Sequence, residues 1–186
     1  MIGRIFRIFS ISLLYFLIFG SRPAVSESVI PVEYQVKVAF INNFIKFVDW
    51  PDTAFPDKHS PLIISILGET PMAEALNVIA NVKVNERQLS IRPIKTLQEL
   101  GASHILFVSS SEKPRMSEIL RFLGNMKILT ISEIEGFCAE GGIINFTLVN
   151  NKVRFEINAE AAKKADIAIS SKLLRLATIV RNQETR

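Results

Sequence analysis

The spacing of apolar residues predicts a chain in which helices alternate with short buried strands. Between Val32 and Val48 apolar residues recur at helical spacing, and Trp50-Pro51 ends the run because a residue before proline resists the α conformation. Leu62 to Leu67 is a short run, rich in β-branched residues, that predicts a buried strand. Further helices are predicted at 71–80, 97–100 and 111–123, and further strands at 88–94, 104–108 and 127–131.

This alternation is typical of an α/β fold. Strands separated by helices form a parallel sheet with right-handed crossovers, and the helices cover the faces of that sheet. We therefore expect a three-layer, Rossmann-like, mostly parallel sheet flanked by helices, with an antiparallel hairpin toward the C-terminus.

The hairpin is predicted from two segments of alternating polarity. Ile143 to Val149 and Lys152 to Ile157 flank Asn150-Asn151, a two-residue loop whose residues tolerate positive φ. This loop places apolar pairs on one face and mainly polar pairs on the other, so the register agrees with the hydrophobic pattern. The apolar pairs are Ile144/Ile157, Phe146/Phe155 and Leu148/Val153, and the other face carries Asn145/Glu156, Thr147/Arg154 and Val149/Lys152.

Two helices are predicted after the hairpin. Asn158 can cap a helix that runs to about Ala165, and Ser170 can cap a last amphipathic helix. The apolar positions of that last helix are Leu173, Leu174, Ala177 and Val180.

The first 26 residues have the layout of a secretory signal peptide. An apolar run from Ile8 to Phe19 follows a basic start, and Ala24-Val25-Ser26 supplies small residues before a cleavage point. A transmembrane anchor is the alternative, but it needs about 20 apolar residues, and this run stops at Gly20. We expect cleavage after residue 26, export of the remainder, and a single domain formed by residues 27–186.

Composition and charge exclude several classes of protein. The chain has 186 residues, of which 48% are hydrophobic and 22% charged, as in an ordinary globular domain and unlike a disordered chain. The net charge is +4, but Arg4, Arg7 and Arg22 precede the first acidic residue, so the exported chain is close to neutral. Nucleic acid is not expected as a partner, because the basic residues do not cluster on one face.

Residues that commonly catalyse reactions or bind metals are few. His59 lies in a loop containing prolines and His104 at the start of a strand, and neither has the spacing of a metal ligand. Glu133 and Glu135 are two positions apart, which on a helix points them away from each other. We therefore expect a protein that is not an enzyme and uses neither a metal nor a cofactor.

The single cysteine, Cys138, has two interpretations. An odd cysteine in an oxidising compartment is either buried and inert or free to form a disulfide with another chain. The apolar sequence around it favours burial, since free cysteine packs like a small hydrophobic residue. An intermolecular disulfide through Cys138 is the alternative.

Two loops carry residues that could bind an anion. Parallel strands are predicted to end at Glu69-Thr70 and at Ser109-Ser110-Ser111, and ligands of such sheets lie beyond these ends. The same residue types commonly cap helices, and neither loop has a glycine-rich phosphate motif. Helix capping and a ligand loop formed by Glu69, Thr70, Ser109, Ser110 and Ser111 are both open.

A partner could bind the polar face of the hairpin. Asn145, Arg154 and Glu156 are predicted to point outward from rigid strands. The alternative is a solvated strand face, because outward polar residues need no partner.

Three segments together resemble the YfiR family of periplasmic repressors. They are EYQVKVAFINNFIKFVDWP (Glu33 to Pro51), LGASHILFVSSS (Leu100 to Ser111) and GGIINFTLVNNKVRFEINAEAAKKADIAISSKLLRLATIV (Gly141 to Val180). Each motif alone is weak, but the helix ending in Asp-Trp-Pro combined with GGxINF and RFEIN is specific.

The resemblance implies a compact α/β domain that forms a homodimer in the periplasm. Such a domain binds the periplasmic sensor region of an inner-membrane diguanylate cyclase and holds it inactive, which lowers cyclic di-GMP and biofilm formation. An outer-membrane lipoprotein can sequester such a repressor. Glu156 in RFEIN matches the family pattern, whereas the internal disulfides of some members cannot form here, because the chain has one cysteine. A periplasmic domain that binds or senses a small molecule is the alternative function.

Overall fold

A computed structural model describes residues 30–57, 59–80 and 82–182 of the chain. The segment interpreted as a signal peptide lies outside the described residues. None of the helices in the described ranges has both the length and the apolar content needed to cross a membrane.

The described residues contain ten strands, eight of which form one sheet. The strands are β1 (Val48–Asp49), β2 (Leu62–Leu67), β3 (Lys83–Val84), β4 (Arg87–Ile94), β5 (Ile105–Val108), β6 (Leu129–Ser132), β7 (Ile144–Val149), β8 (Lys152–Ile157), β9 (Ala168–Ile169) and β10 (Thr178–Ile179). Their order in the large sheet is β10-β8-β7-β6-β5-β2-β4-β3, while β1 and β9 form a small antiparallel pair. Five neighbouring strands of this sheet run parallel to one another, as expected: β7, β6, β5, β2 and β4.

Helices connect these strands, and several are shorter than the pattern predicted. The α-helices are α1 (Val32–Phe47), α2 (Met72–Asn77), α3 (Met116–Leu123), α4 (Ala159–Lys164) and α5 (Ser171–Leu174). The expected helix at 97–100 is a 3-10 turn over Leu97–Glu99, and the expected helix at 111–123 begins as a 3-10 segment over Ser110–Arg115 that contains Pro114.

Alternating side chains of the central strands enter two apolar layers. Ile105 and Phe107 of β5 join one buried cluster with α1 and α2, whereas Leu106 and Val108 join a second cluster with α3. Since neighbouring strand residues point to opposite faces, helices cover both sides of the sheet. The expected three-layer, mostly parallel α/β fold is confirmed.

The hairpin has the predicted register. All six predicted residue pairs between β7 and β8 are present, from Ile144 opposite Ile157 to Val149 opposite Lys152. Asn150 and Asn151 have φ values of 51° and 58°, the left-handed conformation that a tight hairpin loop requires.

An aromatic cluster packs α1 onto this hairpin. The ring centroid of Phe44 in α1 lies 5.0 Å from that of Phe155 in β8 and 5.7 Å from that of Phe146 in β7. Phe40 adds a third contact, 5.3 Å from Phe155. These offset and edge-on contacts bury large apolar surfaces, so the helix and the hairpin are held as one unit.

The prediction of the last helix is wrong beyond the first turn of that helix. Ser170 caps α5 as expected, but α5 ends at Leu174, and Thr178–Ile179 forms β10 beside β8. The β8 edge would otherwise leave backbone groups unpaired, and the β-branched sequence Thr178-Ile179-Val180 suits a strand. The amide of Val180 donates to the carbonyl of Ile157 at 2.9 Å, so pairing with the sheet replaces the helix.

His104 is a structural residue of the core. Its Nδ1 accepts from the amide of Ile63 at 3.1 Å, and its Nε2 lies 2.9 Å from the carbonyl of Ala54. The ring of Phe55 stacks on it with a centroid separation of 4.2 Å. These contacts fit a neutral ring that donates from Nε2. Burial, aided by the nearby charge of Arg87, lowers the pKa of His104 despite the hydrogen bond to Ala54.

We predict that His104 makes stability depend on pH. Because its pKa is lower in the folded state, the unfolded chain binds more protons, and stability is lost as pH falls below the ordinary histidine value of 6.5. The free energy of unfolding, measured by urea denaturation between pH 8 and 5, should decline less steeply with acid in His104→Gln than in the wild type. The exposed His59 provides the control, since His59→Gln should keep the wild-type slope. Equal slopes for wild type and His104→Gln would contradict this role.

Candidate functional site

An open cleft of about 600 Å³ lies between the start of α1, the chain after β6 and the hairpin. The register explains its position. Strand β6 pairs with only the first two residues of β7, Ile144 and Asn145, and β7 then continues past the end of β6. The carboxyl end of β6 is where a parallel α/β sheet commonly binds ligands. Polar side chains from α1, β7 and β8 therefore meet there.

A buried lysine joins α1 to the end of β6. Lys37 is 3% exposed, and its Nζ lies 2.5 Å from a carboxylate oxygen of Glu133 and 2.5 Å from one of Glu33. The ammonium also lies 4.6 Å from the centroid of the Tyr34 ring. A buried charge is tolerated when it is paired in this way, and the more buried of the two carboxylates is that of Glu133.

The pKa values in this cluster follow from burial and pairing. Burial alone would lower the pKa of Lys37, but hydrogen bonds to Glu133 and Glu33 outweigh it, and the pKa is raised. Burial also raises the pKa of Tyr34. Lys37 is therefore a permanent cation within the cleft, already engaged by two anions, and it is not a candidate proton donor or acceptor.

Glu133 holds three parts of the chain together. Besides Lys37, it accepts from the hydroxyl of Tyr34 at 3.2 Å and from Oγ of Ser110 at 3.3 Å. These contacts join α1, the loop after β5 and the loop after β6. The cleft wall is consequently a fixed polar structure.

Asn145 is buried, which corrects the expectation that it faces solvent. It is 1% exposed, while Arg154 is exposed and Glu156 is half-buried. The exposure of β7 increases from its base to its tip, and Gly136, in the chain after β6, lines the cleft beside Asn145. The predicted face is therefore buried at Asn145, half-buried at Glu156 and exposed at Arg154.

The structure separates the three predicted partner-binding residues. Asn145 and Glu156 are cross-strand neighbours and both line the cleft. Arg154 instead lines a second depression of about 650 Å³, between α1 and the hairpin tip. We call this second depression, which includes Val32, Val36 and Leu148, the tip groove.

The two predicted ligand loops are adjacent, but their polar groups bond mainly to each other. Oγ of Ser109 donates to the carbonyl of Glu69 at 2.6 Å, and Oγ of Ser111 accepts from the amide of Glu69 at 3.0 Å. Thr70 accepts from the amide of Met72. These contacts are those of capping and of bracing between loops, and of the five predicted residues only Ser110 lines the cleft.

Cys138 is fully buried, as favoured by its sequence surroundings. Burial, with a contribution from the charge of Glu156, raises the pKa of its thiol to about 12. A thiol of this kind is unreactive at neutral pH. The alternative of an intermolecular disulfide has no support in this conformation, because the sulfur is not accessible.

Sequence reasoning missed Lys37 and Tyr34, and it considered Glu133 only in relation to Glu135. The available signal was Lys37 itself, which lies one turn before Ile41 on the face of α1 that becomes buried. A lysine on such a face needs a carboxylate partner. Its partner at Glu133 is 96 positions away, however, and helical spacing gives no information about contacts at that separation.

Comparison with known proteins shows a family and a fold. The YfiR/HmsC-like family model matches residues 34–178, from α1 into β10. A crystal structure of a conserved domain protein from Vibrio cholerae O1 biovar El Tor strain N16961 has a TM-score of 0.53 and 12% sequence identity. The alignment covers 78% of this chain and 59% of that one, so the chain spans less than two thirds of the similar structure. No curated protein matches the sequence.

We predict that Lys37 is required for stability. Lys37→Met leaves Glu133 buried beside Glu33 without a cation, and the free energy of unfolding should fall by about 3–5 kcal/mol. The side chain of Glu33 is 37% exposed, so Glu33→Gln should lower the free energy of unfolding by less than about 1 kcal/mol. Chemical denaturation followed by circular dichroism measures both. The same loss in the two variants would contradict the structural role of the buried pair.

Proposed function

The chain belongs to the YfiR/HmsC-like family, a family of periplasmic regulators of diguanylate cyclases that are regulatory rather than catalytic, and we propose that it is a repressor. In this proposal it binds the periplasmic region of an inner-membrane diguanylate cyclase and holds the enzyme inactive, so cyclic di-GMP and biofilm formation fall. The family match over residues 34–178 carries the proposal, since it includes α1, the sheet and the hairpin together.

We propose the tip groove as the surface that binds the cyclase. Val32 and Leu148 are 73% and 57% exposed, and Val36 lies one helical turn from Val32. Contiguous exposed apolar residues are typical of interaction surfaces. Two cations, Lys152 and Arg154, and one carboxylate, Glu33, border the apolar part. The excess of positive charge favours a partner segment with apolar and acidic side chains.

In this proposal, repression is a shift in the equilibrium between the active and the inactive state of the cyclase. A protein that binds the inactive state better than the active one moves the population toward the inactive state by its difference in affinity. The aromatic cluster under the tip groove holds α1 and the hairpin in a fixed arrangement, which supports a preformed surface.

Localisation and the other partners belong to the same proposal. We propose that residues 1–26 direct export to the periplasm and are removed. The family resemblance further supports a homodimer and an outer-membrane lipoprotein that sequesters the repressor. A lipoprotein that covers the tip groove would compete directly with the cyclase.

A small-molecule sensor is the second candidate function. The observation that favours it is the cleft, where the fully buried atom Oδ1 of Asn145 has no hydrogen-bond partner among the residues that the structure describes. A repressor and a sensor differ in what the purified protein binds: a cyclase region in one case and a small molecule in the other. A ligand-controlled repressor would bind both.

We predict that a charge in the tip groove disrupts cyclase binding. Leu148→Glu places a carboxylate among apolar side chains that the partner would cover, and affinity for the purified periplasmic region of the cyclase should fall at least tenfold. Leu176→Glu is the matched control, because Leu176 is 73% exposed and lies outside the tip groove. The affinity of Leu176→Glu for the cyclase region, measured by calorimetry, should equal that of the wild type. Unchanged binding by a folded Leu148→Glu variant would place the contact surface elsewhere.

A further inference from the structure

Asn145 has a buried acceptor atom that nothing in the described residues satisfies. Its side chain lines the cleft, it is 1% exposed, and Oδ1 has no hydrogen-bond partner. Buried polar side-chain atoms nearly always have a partner, so an exception in a cleft calls for a ligand or an ordered water. The chemistry that completes this atom is an N–H or O–H donor.

The charges around Asn145 favour a cation. Four carboxylates line the cleft, and the one ammonium among them, that of Lys37, is already bound by Glu33 and Glu133. Glu156, the cross-strand neighbour of Asn145, forms no ion pair in the described part of the chain, and neither does Glu135. These carboxylates would repel an anion. They favour a cation that pairs with Glu156 next to the unpartnered Oδ1 of Asn145.

Two apolar residues of the cleft are able to pack against an organic group. Phe146 and Leu148 follow Asn145 along β7 and line the same cleft, whose volume of about 600 Å³ is typical of small-molecule sites. A bare metal ion is disfavoured by the donor set. Among the residues that the structure describes, no three His, Cys, Asp or Glu side chains are arranged to hold a metal.

We propose that the cleft binds a small organic cation with a primary ammonium group. The ammonium donates to Oδ1 of Asn145 and to the carboxylate of Glu156, and the apolar body of the ligand lies along Phe146 and Leu148. The cleft shares Glu33 and Leu148 with the tip groove, but the residues proposed to bind the ammonium, Asn145 and Glu156, lie outside the tip groove. The inference does not depend on the proposed repression of a cyclase.

The test uses three probes of similar shape and different charge. Calorimetry and amide chemical shifts at pH 7.5 compare binding of 2-phenylethylamine, 2-phenylethanol and 3-phenylpropanoate by the purified exported chain. The ammonium should bind at least tenfold more tightly than the alcohol, and the carboxylate should not bind. Shifts should be largest in β7, at the base of β8 and in the chain after β6.

Two variants test the proposed contacts. Glu156→Gln should weaken binding of 2-phenylethylamine at least fivefold, and Glu160→Gln, a change on exposed α4 outside the cleft, should leave it unchanged. Asn145→Leu should also weaken binding, yet it should not lower the melting temperature, because it removes an unsatisfied buried atom. Failure of the ammonium to bind, equal affinity for ammonium and alcohol, or full affinity in folded Glu156→Gln would each overturn the proposal and leave an ordered water as the partner of Asn145.

Discussion

The packing of α1 on the β7–β8 hairpin is the contact on which the rest of this structure depends. Phe40 and Phe44 meet Phe146 and Phe155 at centroid distances of 5.0–6.3 Å, and this contact places a helix from one end of the chain against strands from the other. It also brings Lys37 to the end of β6 and Val36 to the hairpin tip. The cleft and the tip groove are thus both lined by α1 and the hairpin, and they share Glu33 and Leu148.

The buried cation of Lys37 gives this contact its specificity. An aromatic cluster is tolerant of small shifts, whereas the contact of the Lys37 ammonium with Glu133 at 2.5 Å fixes the position of α1 along the sheet. The second carboxylate, Glu33, lies on α1 itself. Because Glu133 also binds Tyr34 and Ser110, a ligand that alters the cleft would act on the same network that positions α1. Ligand binding in the cleft and partner binding in the tip groove would then be coupled through a few named contacts.

Local patterns predicted the fold well and the site poorly. The hairpin register followed from one loop length and one alternation of polarity, and both β2 and the start of α1 were placed from runs of apolar residues. The last helix was predicted wrongly, because the open edge of β8 attracts Thr178–Ile179. Asn145 is buried where β7 pairs with β6, opposite Ser132. Spacing within one element contains no information about either contact.

We propose that this chain represses a cyclase from the periplasm. The most direct test of this proposal is deletion of the gene in its host, followed by quantification of cellular cyclic di-GMP by mass spectrometry. The deletion strain is then complemented with two forms of the protein. Cyclic di-GMP should rise on deletion, and the full chain should restore the wild-type level while a chain lacking residues 1–26 should not. Unchanged cyclic di-GMP after deletion, or equal rescue by the form that is not exported, would contradict it.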